Sequence, residues 1–290
     1  MLMDHDVEAQ ALAGAIALDE DLDVWFRPHL PDRPAKDLLT HLKAVAAAAE
    51  ELRLAHPGRV TLMVGTEFSL TSPGMIPGPR VFLRVQVLMR WRRFFDRRIT
   101  RKLDPLLRKM AAVAREGFNG PVTYGAGYWE RVDWSPFDIV GVNLYRRGTD
   151  HDAYAQRVKA LVAANDKPVV VTEFGCGSFP GAEILGPASF RIVKWFADPP
   201  RVRDGHVRDE SVQATYVGEL IDLYDASGID GYFVFTFVMP DFPHDDDSSR
   251  DLDMAGFGIV AVPADDPTAW HPKEAFHTIA DRHQPHRPDR

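Results

Sequence analysis

Short apolar runs alternate with longer amphipathic stretches along this chain. The runs at 23–30, 60–67, 121–127, 138–145, 168–175 and 230–237 are rich in Val, Ile, Leu, Phe and Tyr, which predicts strands. Between them, 7–18, 34–56, 80–116, 151–165 and 211–226 read as helices. In the longest of these, Leu88, Trp91, Phe95, Ile99, Leu106 and Met110 recur near helical spacing. Pro57-Gly58 stops the second helix and Ser227-Gly228 the last. Strand and helix in alternation form a parallel sheet covered by helices. Six strands are expected, and an eight-stranded barrel needs two more. Because the chain opens in a helix that feeds its first strand, the missing pair is expected to precede residue 1.

Length and charge narrow the class. At 290 residues and 45% hydrophobic, the chain is expected to form a single domain over 1–290, with a peripheral tail from about 262 to 290. A net charge of −8 argues against a general nucleic-acid binder. The single cysteine, Cys176, rules out an intramolecular disulfide and a thiolate zinc cluster, and is read as an inert buried thiol. The first residues lack the basic and apolar regions of a secretory signal, and no apolar run is long enough to span a bilayer. A cytoplasmic location, no membrane or nucleic-acid partner, no metal and no cofactor are the resulting expectations.

The chemistry lies at two strand ends. Val60-Thr61-Leu62-Met63-Val64-Gly65-Thr66-Glu67 and Pro168-Val169-Val170-Val171-Thr172-Glu173 are near-continuous apolar runs that close on a glutamate. Barrels and open α/β sheets build their active sites at such C-terminal ends. Two carboxyl groups on separate strands are the minimum equipment for acid/base or nucleophilic work at an acetal carbon. Side chains alternate along a strand, so Gly141, Asn143 and Tyr145 share one face, as do Trp25, Arg27 and His29.

Four segments in order carry a resemblance. Val-Trp-Phe-Arg-Pro-His-Leu near 24–30, Val-Gly-Thr-Glu-Phe at 64–68, Thr-Tyr-Gly-Ala-Gly-Tyr-Trp-Glu running on to Phe-Asp-Ile-Val-Gly-Val-Asn-Leu-Tyr, and Val-Val-Thr-Glu-Phe-Gly look like strands three to seven of a known superfamily. It is that of the retaining glycoside hydrolases of the cellulase and β-mannanase type, and the resemblance spans roughly 20–260. It implies a TIM (β/α)8-like barrel, shortened here to about six strands. It makes Glu67 the general acid/base, Glu173 the nucleophile, Tyr145 the tyrosine that hydrogen-bonds the nucleophile and His29 the histidine of the subsite floor. Arg27, Trp129, Asn143, Phe235 and Phe237 complete the expected substrate-binding set, with Arg27 and Tyr145 expected to keep Glu173 charged. The chain departs from the pattern in three places. Thr66 stands where the family has the Asn that binds the sugar 2-hydroxyl. Phe235-Thr236-Phe237 replaces the stacking Trp of the last strand, and the first two strands, which carry an Arg near the nucleophile, are missing.

The expected activity is retaining hydrolysis of a β-glycosidic bond in a small or oligomeric sugar substrate. Two alternatives stand beside it: a non-hydrolytic carbohydrate-binding or regulatory barrel, and an acid/base enzyme on a non-sugar substrate, for which Phe235, Phe237, Trp129 and Tyr128 would form an apolar wall. A second copy covering the open strand edges is a further expectation. Residues 80–109 hold eleven Lys or Arg and read as a solvated helix face. The acidic stretch from Asp241 to Asp253 reads as a mobile loop rather than a cation site, since Arg250 and Gly256 break the calcium-loop pattern.

Overall fold

The strand that opens the sheet is one that the apolar pattern does not reveal. In the computed structural model, which describes residues 1–266 and 268–283, Leu2–Asp4 (β1) pairs in parallel with Val24–Pro28 (β2), Leu2 opposite Phe26 and Asp4 opposite Pro28. The expected helical start is corrected accordingly. Three residues are too few to show alternation, and their geometry comes from the partner strand.

The chain forms two compact units, residues 1–143 with 167–170, and residues 144–166 with 171 onward. In the first unit, α1 (Val7–Asp19) is capped by Asp6, whose side chain accepts from the backbone N–H groups of Glu8 and Ala9. Helix α2 (Ala35–Ala55) buries Leu38, Leu42, Val45, Ala46 and Ala49, a stripe at helical spacing. It packs on Val60–Thr66 (β3), whose residues are buried from Val60 through Gly65, as expected of a strand covered on both faces. The short α3 (Phe68–Thr71) follows at once. Helix α4 (Val81–Gly117) is kinked at Trp91, where the backbone leaves helical values, and buries Leu88, Ile99, Leu103, Leu107 and Met110. Val122–Gly127 (β4) and Val140–Asn143 (β5) complete this unit, both in parallel register.

The second unit holds α5 (His151–Ala163), capped by Asp150, and most of β6 (Val169–Phe174). After the single turn α6 (Ala182–Leu185), an antiparallel pair β7 (Val193–Lys194) and β8 (Arg201–Val202) precedes α7 (Glu210–Ser227). Gly228, with φ 76°, ends α7 in the left-handed conformation a helix C-terminus favours. Then come β9 (Gly231–Val234), the pair β10 (Val260–Ala261) and β11 (His271–Pro272), and α8 (Glu274–His283). Ala275 of α8 packs with Ala214, Ile259 and Val260, so part of the tail contributes to the core. Residues 284–290, the end of the expected tail, lie outside the described residues.

The main sheet has seven strands in the order β1-β2-β3-β4-β5-β6-β9, which is the order of the chain. All six strands expected from the sequence are in it, and β1 makes the seventh.

The acidic stretch is not a free loop. Asp251 and Asp253 are buried. Arg208 Nη1 reaches Asp251 Oδ2 at 3.0 Å and Asp253 Oδ2 at 2.9 Å, and Lys273 Nζ donates to Asp253 Oδ2 at 3.0 Å and to Ser178 Oγ at 2.8 Å. Burial pulls Lys273 below its usual pKa while Asp253 opposes the shift. This corrects the expectation of a mobile loop: the counter-charges come from Arg208, 43 positions before Asp251, and Lys273, 20 positions after Asp253, which a local reading of the acidic run does not see. Among the described residues no cluster of His, Cys, Asp and Glu suits a metal ion.

Candidate functional site

Glu67 sits in a turn that only its neighbours make tolerable. The β3–β4 register shifts between Met63 and Thr66, and Gly65, at φ 154°, leaves room for the Phe68 ring, which lies 2.3 Å from where a Cβ would stand. Glu67 itself is left-handed, at φ 43° and ψ 48°, a conformation costing about 1–2 kcal/mol for a residue with a side chain. Its N–H donates to Gly125 O at 2.9 Å, and its carbonyl accepts from Leu70 N at 2.7 Å and Thr71 N at 2.8 Å. These bonds tie the turn to β4 on one side and to α3 on the other.

A buried carboxyl not singled out in the sequence completes the clamp. Glu130 accepts from Ser69 N at 3.0 Å, from Gly127 N at 3.1 Å and from the Tyr124 hydroxyl at 2.8 Å, and that hydroxyl accepts from Phe68 N at 2.6 Å. Burial raises the pKa of both Glu130 and Tyr124. Trp129 donates its indole N–H to Ser69 Oγ at 2.9 Å, and its ring passes 2.6 Å from the Cβ that Gly127 lacks. The small residues Gly125-Ala126-Gly127 were the only sequence signal of this close packing.

The Glu67 side chain meets Asn143, a residue expected from the sequence to contact substrate. Asn143, fully buried at the end of β5, donates from Nδ2 to Glu67 Oε1 at 2.9 Å and to Thr66 Oγ1 at 3.1 Å. The Thr66 hydroxyl in turn donates to Gly125 O at 3.2 Å. Thr66 is therefore engaged within the protein where the resembled family has a sugar-binding Asn. His29 and Thr66 line one cleft with Pro28, Leu30, Val64 and Phe68. Burial, reinforced by the nearby Arg27, lowers the His29 pKa to about 4, so the ring is neutral at pH 7. Arg27 is buried in β2 with its guanidinium against the Met3 sulfur.

In the second unit, Glu173 is the penultimate residue of β6 and has little exposure. The Tyr145 hydroxyl donates to its Oε2 at 3.2 Å, and Leu144 N donates to its backbone carbonyl at 2.9 Å. Three further tyrosines that the sequence reading passed over place Tyr145. The Tyr154 and Tyr224 hydroxyls lie 2.7 Å apart and 3.0 and 2.9 Å from Leu144 O, so one donates to that carbonyl while the other donates to it or to its partner hydroxyl, and Tyr216 donates to Arg146 O at 2.9 Å. Burial raises the pKa of all three, so they stay protonated donors. The Tyr145 ring packs edge-on against Phe257 at 6.1 Å. Phe235 also contacts Phe257, and its carbonyl lies 2.5 Å from the Cβ position of Gly175, so glycine is required after Phe174. Phe237 is half exposed and stands edge-on to Trp270 at 5.5 Å, an aromatic partner that arrives from a distant loop. Cys176 is buried, which raises its thiol pKa, as an inert thiol requires.

Three solved structures share this architecture. A GH113 β-1,4-mannanase superposes with a TM-score of 0.59 at 19% identity, covering 95% of this chain and 78% of its own. The GH113 β-mannanase AaManA from Alicyclobacillus acidocaldarius, in complex with ManMIm, gives 0.58 at 15% identity over 96% and 77%. A complex of a GH113 β-1,4-mannanase gives 0.56 at 18% identity over 88% and 74%. The fold these likenesses show is a TIM-like α/β barrel. No protein-family model matches the sequence, and no curated protein matches it.

Proposed function

We propose that this chain is a retaining β-glycosidase in which Glu67 is the acid/base and Glu173 the nucleophile. One observation carries the reading: each strand-terminal glutamate has its carboxyl held by a side chain from the C-terminal end of β5, Asn143 for Glu67 and Tyr145, two residues further on, for Glu173. Retaining hydrolysis needs one ionised carboxylate to attack the anomeric carbon and one protonated carboxyl to release the leaving oxygen, about 5–5.5 Å apart. The Tyr145 hydroxyl donates to Glu173 Oε2 and fixes the orientation of the attacking carboxylate. Asn143 donates from Nδ2 to Glu67 Oε1, so Oε1 is an acceptor and the catalytic proton is placed on Oε2. Once the leaving group has departed, Glu67 takes a proton from water, which opens the glycosyl ester on Glu173 and returns both groups to their first state. His29, Trp129, Phe235 and Phe237 are the proposed sugar contacts, Arg27 being buried against Met3. The neutral His29 would accept or donate one hydrogen bond to a hydroxyl, and the Phe237–Trp270 pair would stack on a ring face.

The test uses aryl β-glycosides and β-1,4-linked manno- and gluco-oligosaccharides, with reducing-end release as readout. Hydrolysis by wild type and none by Glu173→Ala is the expected result. The internal engagement of Thr66 favours a second reading, a barrel that binds sugars without cleaving them. Sugar binding by calorimetry with no hydrolysis of any substrate in the set would establish it.

Asn143→Ala provides a pH signature. A carboxylate that loses an N–H donor is less stabilised in its charged form, so the basic limb of the kcat/KM profile, set by the protonated acid, should move to higher pH. An unmoved limb would show that Asn143 does not tune Glu67.

A further inference from the structure

The first half of α4 presents to solvent what a soluble helix normally hides. Before the kink at Trp91, Leu83, Gln86, Met89 and Arg90 are exposed on one side of the helix, opposite the buried Arg84 and Leu88. After it, Phe94, Arg97, Arg98 and Arg101 follow at i, i+3, i+4 and i+7 on a single exposed face, with Ile99 and Leu103 buried behind. Phe94 is 78% exposed and Trp91 51%, their rings 5.8 Å apart, with the Arg90 guanidinium over Trp91 at 5.8 Å. Isolated exposed apolar residues need no explanation, but a run of four among arginines does.

The charges are equally uneven. Residues 80–109 carry eleven Lys or Arg and two Asp, a net of +9, so the rest of the chain stands at −17. Among the described residues no carboxylate lies within salt-bridge distance of Arg90, Arg92, Arg93, Arg97, Arg98, Arg101 or Lys102. Gly74 O accepts from Arg98 and Lys102, and the Arg92 guanidinium lies over the Tyr128 ring at 5.6 Å. An amphipathic stretch with Arg on its polar positions and Trp, Phe, Met and Leu between them has the chemistry of a helix lying in a bilayer interface.

We propose that the exposed face of α4 from Leu83 to Lys102 is a docking surface for an anionic phospholipid membrane. Arginines pair with phosphate headgroups, while Trp91, Phe94 and Met89 enter the boundary between headgroups and acyl chains. The expectation of no membrane partner rested on the lack of a spanning segment, and interfacial binding requires none. A nucleic acid would use the arginines but leave Phe94, Met89 and Leu83 in water, so lipid is the better fit. This surface is independent of the glutamates and of the proposed hydrolysis.

The experiment is sedimentation of the whole chain with vesicles of phosphatidylcholine alone or with about one third phosphatidylglycerol, and duplex DNA is titrated in parallel. Binding to the anionic vesicles at least tenfold above the neutral ones is expected, falling about 100-fold in R93Q/R97Q/R101Q, at roughly one headgroup-facing charge per residue. Phe94→Ser should weaken vesicle binding about tenfold. All substituted positions are exposed, so circular dichroism should be unchanged. Cys176 is buried, so Met89→Cys gives one accessible thiol; an environment-sensitive fluorophore there should brighten and shift to the blue on anionic vesicles. No vesicle binding, or DNA binding stronger than vesicle binding with Phe94→Ser neutral, would overturn the proposal.

Discussion

Glu173→Gln is expected to lower the turnover of any β-glycoside this chain hydrolyses by about 10⁴-fold or more, roughly 5 kcal/mol of transition-state stabilisation. An amide is nearly isosteric with the carboxylate and keeps a partner for the Tyr145 hydroxyl, so the strand end retains its shape. What is lost is the charge and the nucleophilic oxygen, and with them the glycosyl ester. Steady-state rates on an activated aryl glycoside, with far-ultraviolet circular dichroism unchanged, check the result. Retention of more than a few per cent of wild-type turnover would remove Glu173 from the mechanism.

The largest effect on stability is expected from Asp253→Ala. Asp253 sits between Lys273 and Arg208 in the interior of the second unit, and Lys273 has Ser178 as its other partner. Removing the carboxylate leaves a buried ammonium without its counter-charge, a loss of about 3–5 kcal/mol. Lys273→Met in the same chain should recover part of this loss, because the stranded charge is then gone. Urea denaturation of the single and double variants gives the coupling from the midpoints at constant slope. A loss below about 1 kcal/mol for Asp253→Ala would mean that the pair is hydrated and the loop is not pinned by it.

The parts of this molecule that were legible in the sequence share one property. The six long strands and their helices declare themselves because burial on both faces demands a run such as Val60–Val64, and because α2 and α4 need stripes at helical spacing. Glu67 and Glu173 were legible because each closes an apolar run, and Asn143 and Tyr145 because strand alternation puts them on one face; the structure pairs Glu67 with Asn143 and Tyr145 with Glu173. What stayed hidden depends on distant partners. Strand β1 exists through its pairing with β2, and Glu130 works through Tyr124, Ser69 and Gly127. Tyr154, Tyr216 and Tyr224 look like ordinary core aromatics in the sequence, and only the fold aims their hydroxyls at the carbonyls beside Tyr145. The acidic stretch misled for the same reason, since Arg208 and Lys273 lie far from it in the chain.

The division of labour between the two glutamates is tested most directly with Glu67→Ala, a 2,4-dinitrophenyl β-glycoside and sodium azide. A very acidic leaving group departs without protonation, so the variant should still form the glycosyl ester on Glu173 and then stall, because no general base activates water. Azide needs no such base. It should restore turnover and yield the β-glycosyl azide, identified by nuclear magnetic resonance of the product. An active Glu67→Ala variant that gives no glycosyl azide, or gives the α-anomer, would contradict the assignment of Glu67 as acid/base and Glu173 as nucleophile.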